Sequence, residues 1–224
     1  MIALPESYAA VRQSVADAAR AAAREVRLLA VSKTRPAAAL RALAVQGQHA
    51  FGENYVQETL AKQRELADLD LEWHLIGPLQ SNKCREVAQH FDWLESLDRE
   101  KLIAPLDRHR PAARAPLSVL IQVNIDDEDS KSGCAPAAVP ALADAIAAMP
   151  RLALRGLMAI PAPHADSARR RDAFRRMRAL FEALRAEHPV VDTLSMGMSD
   201  DFELAIAEGA TEVRIGSALF GPRA

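Results

Sequence analysis

Short apolar segments alternate with longer amphipathic segments along the whole chain. Several of the short segments, such as SVLIQVN and LRGLMAI, are almost continuously apolar, which is typical of parallel strands buried on both faces. The longer segments repeat apolar residues at helical spacing. This alternation indicates repeated β-α units around a parallel sheet.

The number of short segments decides the predicted architecture. The candidate strands are Leu28–Lys33, Ala50–Asn54, Trp73–Gly77, Trp93–Leu97, Ser118–Asn124, Leu154–Ile160, Thr193–Met198 and Glu212–Gly216. An extra helix is predicted from about Ser7 to Arg24, before the first strand. Eight strands with interleaved helices predict an α/β fold, a closed (β/α)8 TIM barrel with an extra N-terminal helix. The alternative is an open doubly wound sheet, but LLAVSKTRP lacks the glycine-rich turn that usually follows its first strand.

Length and composition fit one globular domain. Half of the 224 residues are apolar and 26% are charged, and no linker divides the chain, so we expect a single domain over residues 1–224. A formal net charge of -2 and 4% aromatic residues give little basis for binding nucleic acid. The arginines of ARRRDAFRRMRALFEALRAEH surround an apolar stripe, which predicts the exposed face of a packed helix.

Targeting signals and metal motifs are not expected. Charged residues interrupt the apolar positions of the N-terminus, and no stretch of membrane-spanning length lacks a charge or a proline. Cys84 and Cys134 lie in unrelated segments without the spacing of a zinc or redox site. The acidic run Asp126–Asp129 lacks the glycine and closing glutamate of a calcium loop. We therefore expect a cytoplasmic protein with no membrane partner and no metal.

Lys33 ends the first predicted strand, where functional groups of such barrels cluster. Strand alternation places it on the same face as Leu29 and Val31. If that face lines the barrel, loss of solvation lowers the pKa of the Lys33 amine, which then can attack an aldehyde. The alternative is a lysine that reaches water from the end of a strand.

Ser199 lies at the junction between the seventh strand and the next helix, within SMGMSDDFELAIAEG. Asp200 and Glu203 resemble a capping box of that helix. A hydroxyl beside a helix N-terminus suits a phosphate, because the backbone N–H groups there are unpaired and the helix dipole favours negative charge. The alternative is that Ser199 is an ordinary helix cap.

The eighth strand places Arg214 and Gly216 on one face. A buried guanidinium needs a carboxylate, a phosphate or an aromatic nitrogen as its partner. Gly216 leaves room for the amides of Gly216 and Ser217 to point at a phosphate. The alternative is an arginine paired with a neighbouring carboxylate such as Glu212.

Six ordered motifs resemble those of the pyridoxal phosphate homeostasis proteins, the YggS and PROSC family of single-domain barrels related to the N-terminal domain of alanine racemase. The motifs are LLAVSKT, FGENYVQE, WHLIGPLQSNK, VLIQVNIDDEDSKSG, LRGLMAIPAP and LSMGMSDDFELAIAEGATEVRIGSALFG. The resemblance covers nearly the whole chain. The ordered set is far more specific than any single motif.

The resemblance implies that Lys33 holds pyridoxal 5′-phosphate (PLP) as an aldimine. It implies that Ser199 and the amides of Gly216 and Ser217 bind the phosphate, and that Arg214 faces the pyridine nitrogen. A cation at that position keeps the nitrogen unprotonated, because it repels a second positive charge. The cofactor is then a weak electron sink.

Asn54, in FGENYVQE, would lie close to the ring. The departures from the family are small: Leu75 stands where phenylalanine is common, and the C-terminal tail is short. The first concerns the packing of the ring, and the second concerns regulation by the tail.

The implied function is PLP binding in intracellular vitamin B6 homeostasis, by storage, buffering or delivery, without established catalytic turnover and without catalytic residues. PLP-dependent apoenzymes are the expected recipients, and a monomer is expected. Related racemases add a second domain whose tyrosine is the opposing base, whereas this chain ends at FGPRA, so racemisation should be inefficient. Two alternatives remain: a single-domain amino-acid racemase, and a sugar-phosphate isomerase or lyase that uses the phosphate loops without a cofactor.

Overall fold

The structure is a computed structural model that describes residues 4–126, 132–162 and 166–221. Its eight strands are all parallel and follow one another around a closed barrel, in which the last strand pairs with the first. The strands are β1 Arg27–Val31, β2 Ala50–Glu53, β3 Glu72–Leu75, β4 Trp93–Leu97, β5 Leu117–Gln122, β6 Leu152–Met158, β7 Thr193–Ser195 and β8 Glu212–Ile215. The predicted barrel is confirmed, and the open doubly wound alternative is wrong.

Helices connect the strands and cover the barrel. They are α1 Leu4–Ala21, α2 Ala37–Ala44, α3 Val56–Glu65, α4 Cys84–His90, α5 Ile103–His109, α6 Val139–Ala147, α7 Ser167–Glu187, α8 Phe202–Ala207 and α9 Ser217–Phe220. Short 3₁₀ turns lie at Ser81–Lys83, Glu100–Leu102 and Pro136–Ala138. The extra helix α1 precedes β1, as the sequence predicts. Residues 127–129 of the acidic run and the C-terminal residues 222–224 lie outside the described residues.

The barrel separates an apolar shell from a partly polar interior. One apolar cluster joins strand residues such as Val213 and Ile215 to helix residues such as Leu40 and Phe174. Because side chains of a strand alternate between its two faces, the intervening strand positions point into the barrel. In β8 these interior positions carry charged side chains, which the site described below uses.

Helix α7 has the predicted amphipathic character. Its apolar stripe is buried and consists of Phe174, Met177, Phe181 and Leu184. Several of its arginines instead form ion pairs, for example Arg175 with Glu208 and Arg176 with Asp126. The arginine-rich face is therefore the outer face of a packed helix, as predicted.

Seven of the eight strands end one to three residues earlier than the sequence predicts, and β1 and β7 are two of them. β1 ends at Val31 rather than Lys33, and β7 ends at Ser195 rather than Met198. In β7 the reason is the backbone of Gly197, whose φ of 96° lies in the left-handed region and interrupts the regular ladder, although its carbonyl still accepts from the N–H of Arg214 in β8. Both early ends lie at the edge of the barrel that carries the candidate site.

Candidate functional site

A cavity of about 470 Å³ opens at the C-terminal end of the barrel strands. It lies where the loops after β1, β2, β3, β7 and β8 meet. The predicted site residues all line it: Lys33, Asn54, Ser199, Arg214, Gly216 and Ser217. Apolar side chains complete part of the lining, among them Val31, Ile76, Pro78, Ile160 and Met198. Leu75 is fully buried and is not among the lining residues.

Lys33 follows β1 by two residues and is half-buried. It lines the cavity together with Val31, which agrees with the predicted face of the strand. Ser32 points the opposite way and is fully buried, with its hydroxyl donating to Glu53 Oε1 at 2.6 Å. The local alternation therefore directs one side chain into the cavity and its neighbour into the protein.

A buried lysine lies behind this loop. Lys62 of α3 is 4% exposed, and its ammonium donates to the carbonyl of Ser32 at 2.8 Å and to Glu53 Oε1 at 2.6 Å. Burial raises the pKa of Glu53, and the charge of Lys62 opposes that shift. Sequence reasoning missed this pair, although a charge inside the predicted strand AFGEN was a usable signal, because a buried carboxylate needs a partner.

Asn54 follows β2, is half-buried and packs against the loop after β3. A Cβ at Gly77 would lie only 2.3 Å from the Asn54 carbonyl oxygen. Only glycine fits at this position, because any side chain would push the two loops apart. The close approach fixes where Asn54 meets the cavity.

Ser199 links the loops after β7 and β8, because its Oγ accepts a hydrogen bond from the N–H of Ala218 at 3.3 Å. Gly216 precedes α9, and a Cβ there would lie 3.2 Å from the Val31 carbonyl oxygen. That contact is tighter than most side chains tolerate, so the absent side chain lets β8 approach β1. Backbone N–H groups at the start of a helix have no partner within the helix, so this corner suits an anion.

The predicted capping box is wrong. Helix α8 begins at Phe202 with Asp201 at the N-cap position, and no side chain of the described residues makes a capping hydrogen bond. Asp201 instead accepts from the N–H of Met198 at 2.7 Å. This bond closes a turn that delays the start of the helix and leaves Asp200 lining the cavity.

Arg214 lies inside the barrel and is 3% exposed. Its guanidinium donates to Ser195 Oγ and to the carbonyl of Ala159, both at 2.7 Å, while the residue also lines the cavity. Burial lowers the pKa of Arg214, and the charges of Glu95 and Glu212 oppose that shift. The direct partners therefore differ from the predicted alternative, in which Glu212 pairs with Arg214.

Below Arg214 the barrel interior holds further charged groups. Ser195 Oγ donates to Glu95 Oε2 at 2.8 Å, and Glu95 Oε1 lies 2.6 Å from His74 Nδ1. His74 Nε2 lies 2.6 Å from Glu72 Oε1, towards the N-terminal end of the barrel. The result is a continuous polar chain from the cavity through the barrel. Sequence reasoning did not identify Glu95 as a member of this chain.

Glu212 is the unusual member of this interior. It is fully buried, and within the part of the chain that the structure describes neither of its carboxyl oxygens has a hydrogen-bond partner. Burial, together with the nearby charge of Glu95, raises the pKa of Glu212 to about 7. Burial also acts to raise the pKa of Glu95, but hydrogen bonding and charge from His74 lower it overall. Two neighbouring carboxyls thus have pKa values displaced in opposite directions.

The ligand atoms of His74, Glu95 and Glu212 lie within 4.8 Å of one another, close enough to consider a metal. Both ring nitrogens of His74 already face carboxylate oxygens, however, and the cation of Arg27 lies 3.8 Å from Glu212. A metal ion would have to displace these groups. The geometry favours an ion-paired network, and the absence of a metal stays a prediction.

The fold and this cavity define a class of protein, and the comparisons with known families agree. The model of the alanine racemase N-terminal domain family matches residues 7–224. The chain belongs to that family.

Its curated relatives carry a more specific name. The chain is 55% identical to the pyridoxal phosphate homeostasis protein of Pseudomonas aeruginosa, over 100% of this chain and 97% of the relative. It is 51% identical to the protein of the same name from Escherichia coli, over 98% of this chain and 97% of the relative. The resemblance based on the six ordered motifs is thereby confirmed.

Solved structures give the same result at the level of the fold. PipY of Synechococcus elongatus, in a structure with PLP bound, is 39% identical with a TM-score of 0.84, over 98% of this chain and 100% of PipY. Alanine racemase from Corynebacterium glutamicum is 20% identical with a TM-score of 0.66, over 94% of this chain and 61% of the racemase. The second likeness concerns the fold alone.

Among the described residues, no helix combines the length and the apolar character needed to cross a bilayer.

Proposed function

We propose that this protein binds PLP and acts in vitamin B6 homeostasis by storing, buffering or delivering the cofactor. One observation carries the proposal: a lysine after β1 and an anion-binding corner after β7 and β8 line the same cavity. The names of the curated relatives and the PLP-bound structure of PipY support it.

The phosphate would be held at the corner formed by Ser199, Gly216 and Ser217. The Ser199 hydroxyl can donate to a phosphate oxygen while it accepts from the N–H of Ala218. Close packing of Gly216 against Val31 leaves the start of α9 open to the cavity. The residues present therefore fit a phosphate monoester.

Lys33 would form the covalent attachment. Its amine condenses with the cofactor aldehyde, so that a C=N bond forms and the carbonyl oxygen leaves as water. Arg214 would orient the cofactor ring through the pyridine nitrogen, since hydrogen bonds to Ser195 and Ala159 fix the position of the guanidinium. Asn54 would contact the ring from the loop after β2.

We propose binding without catalytic turnover. Racemisation requires an acid and a base on opposite faces of the substrate. Among the described residues that line the cavity, Asp200 is the one carboxylate, and there is no tyrosine, histidine or cysteine. Lys33 would therefore lack an efficient second base. We further propose that the protein works as a monomer in the cytoplasm, with PLP-dependent apoenzymes as recipients.

The proposal is tested by adding PLP to the purified protein. We expect visible absorption from the C=N linkage, its loss in Lys33→Ala and its retention in the control Lys101→Met, which changes an exposed lysine. Borohydride reduction followed by peptide mapping should place the added mass on Lys33. A protein that stays colourless with excess PLP, or an adduct on another lysine, would refute the proposed site.

The absence of turnover is tested separately. The PLP-loaded protein is incubated with L-amino acids in deuterated water, and exchange at Cα is followed by proton NMR. We expect exchange no faster than with free PLP. Faster exchange that disappears in Asp200→Asn would instead indicate an enzyme that abstracts the Cα proton.

A further inference from the structure

Three charged side chains surround the backbone on both sides of Lys33. Lys62 Nζ lies 2.6 Å from Glu53 Oε1 and 2.7 Å from Glu58 Oε1. The side chains of Lys62 and Glu53 are 5% and 0% exposed, and that of Glu58 is 28% exposed. We call Lys62, Glu53 and Glu58 the Lys62 cluster.

The cluster binds the residue that precedes Lys33. Ser32 donates its hydroxyl to Glu53 and accepts from Lys62 through its carbonyl oxygen. Lys62 therefore donates hydrogen bonds to Ser32 and Glu53 and forms an ion pair with Glu58. Lysine is almost never fully buried unless it is paired, so this arrangement accounts for its burial.

The cluster also binds the residue that follows Lys33. Thr34 donates its backbone N–H to Glu58 Oε1 at 2.6 Å. The φ of Thr34 is 64°, in the left-handed region that β-branched residues rarely adopt. Such a conformation persists only where surrounding contacts hold it. The hydrogen bond from the Thr34 N–H to Glu58 is one of those contacts.

We propose that Lys62, through Glu53 and Glu58, is a positioning residue for Lys33. By fixing the carbonyl of Ser32 and the amide of Thr34, the cluster sets the direction in which the Lys33 side chain enters the cavity. The amine then meets an aldehyde without a loss of loop entropy on binding. This inference rests on the proposed function, and it adds residues that do not line the cavity.

The cluster also predicts which lysine reacts. Lys62 is buried, is ion-paired with Glu53 and Glu58, and is not among the described residues that line the cavity, so its amine is not placed to meet an aldehyde there. Lys33, by contrast, lines the cavity in which the aldehyde would lie. Reductive labelling with PLP and borohydride should therefore modify Lys33 and leave Lys62 unmodified.

The principal test compares Glu58→Ala with the conservative variant Glu58→Gln, whose side-chain oxygen can still accept from Thr34. A second variant, Lys62→Met with Glu53→Gln, removes the buried pair without leaving one charge alone. Lys101→Met is the matched exposed control. The ligands are PLP and pyridoxine 5′-phosphate, which carries the same phosphate and ring but no aldehyde.

For Glu58→Ala and the double variant we expect the dissociation constant of PLP to rise about tenfold, equivalent to about 1.4 kcal/mol. The affinity for pyridoxine 5′-phosphate should change less than about twofold, because it does not depend on Lys33. Glu58→Gln should retain most of the PLP affinity. In the absence of any ligand, hydrogen exchange at the Thr34 amide should accelerate in Glu58→Ala.

Two results would overturn the inference. Equal losses of affinity for PLP and for pyridoxine 5′-phosphate would indicate general damage to the cavity. Unchanged PLP affinity in Glu58→Ala would show that the cluster does not position Lys33. If the double variant does not fold, the comparison of Glu58→Ala with Glu58→Gln still tests the inference. If the unsubstituted protein forms no C=N linkage with PLP, the proposed function itself fails, so the two failures are distinguishable.

Discussion

Arg214 illustrates how one side chain can be held by the protein and still face a ligand cavity. Its two hydrogen bonds go to the neutral groups Ser195 and Ala159, while Glu95 and Glu212 supply negative charge nearby. The guanidinium of Arg214, together with that of Arg27 beside Glu212, therefore offsets the charge of these buried acids. Loss of one partner of a buried charge network is far more costly than replacement of the whole network.

Arg214→Met tests that role. We expect the substitution to lower the free energy of unfolding by about 3 kcal/mol, because it removes the arginine cation whose charge offsets that of the buried Glu95 carboxylate. Urea denaturation at neutral pH measures the loss. Adding Glu95→Gln to this variant should restore part of the stability, since the uncompensated charge is then removed. A single variant as stable as the unsubstituted protein would contradict the role assigned to Arg214.

Ser199→Ala tests the anion-binding corner. We expect the affinity for PLP to fall about tenfold, since a hydrogen bond to a charged group contributes about 1.5–3 kcal/mol. The affinity for pyridoxal, which has no phosphate, should change less than about twofold. Both dissociation constants are measured by titration at the visible absorption band. Equal losses for the two ligands would exclude a phosphate-specific role of Ser199.

At the scale of elements, β3, β4 and β8 each bring a titratable group to the barrel interior: His74, Glu95 and Glu212. The pKa of Glu212 is raised to about 7 in the folded protein from an ordinary value of 4.5. Between these values the folded state holds a proton that the unfolded state has lost. The Glu212 contribution to stability is therefore fully present at low pH and is lost as the pH rises through about 7.

Glu212→Gln isolates this contribution. From about pH 5 to about pH 8, we expect the unfolding free energy of the unsubstituted protein to fall relative to the variant, by on the order of 2 kcal/mol. Urea denaturation across that range gives the difference. The lowered pKa of Glu95 acts in the opposite sense, but its effect appears only at more acid pH. A difference that stays constant with pH would contradict the raised pKa.

The strands were predictable because their apolar runs are bounded and regularly spaced, but their ends were not. β7 stops at Ser195 because Gly197 adopts a left-handed φ, a choice that the letters SMGMS do not reveal. The capping box failed for a related reason. Asp201 binds the N–H of Met198, so α8 begins later than the residue types at the junction indicate.

At the scale of the whole molecule, part of the candidate site was predictable. These are the residues for which two arguments agreed: the rule that functional groups of such barrels cluster at strand ends, and the motifs of the family resemblance. Lys33 and Arg214 are such residues, and the barrel brings both to one cavity. The groups behind them were not predictable. Lys62 meets Ser32 only because α3 packs against the loop after β1, and Glu95 meets Ser195 across the barrel at a sequence separation of 100 residues. Such contacts depend on how the elements pack in three dimensions rather than on a local pattern.

Closure also means that a ligand at the mouth of the barrel stabilises the molecule as one unit, because the loops that line the cavity belong to strands from both ends of the chain. Ligand at about 100 times its dissociation constant should raise the unfolding free energy by about 2.7 kcal/mol. For a chain of this size, that gain corresponds to a rise of about 5–10 °C in Tm. Differential scanning calorimetry with and without PLP measures the rise in Tm.

In Lys33→Ala the same PLP concentration should produce a much smaller rise in Tm, since the covalent part of binding is lost, whereas Lys101→Met should match the unsubstituted protein. An equal rise in Lys33→Ala would mean that PLP stabilises the barrel without attachment to Lys33.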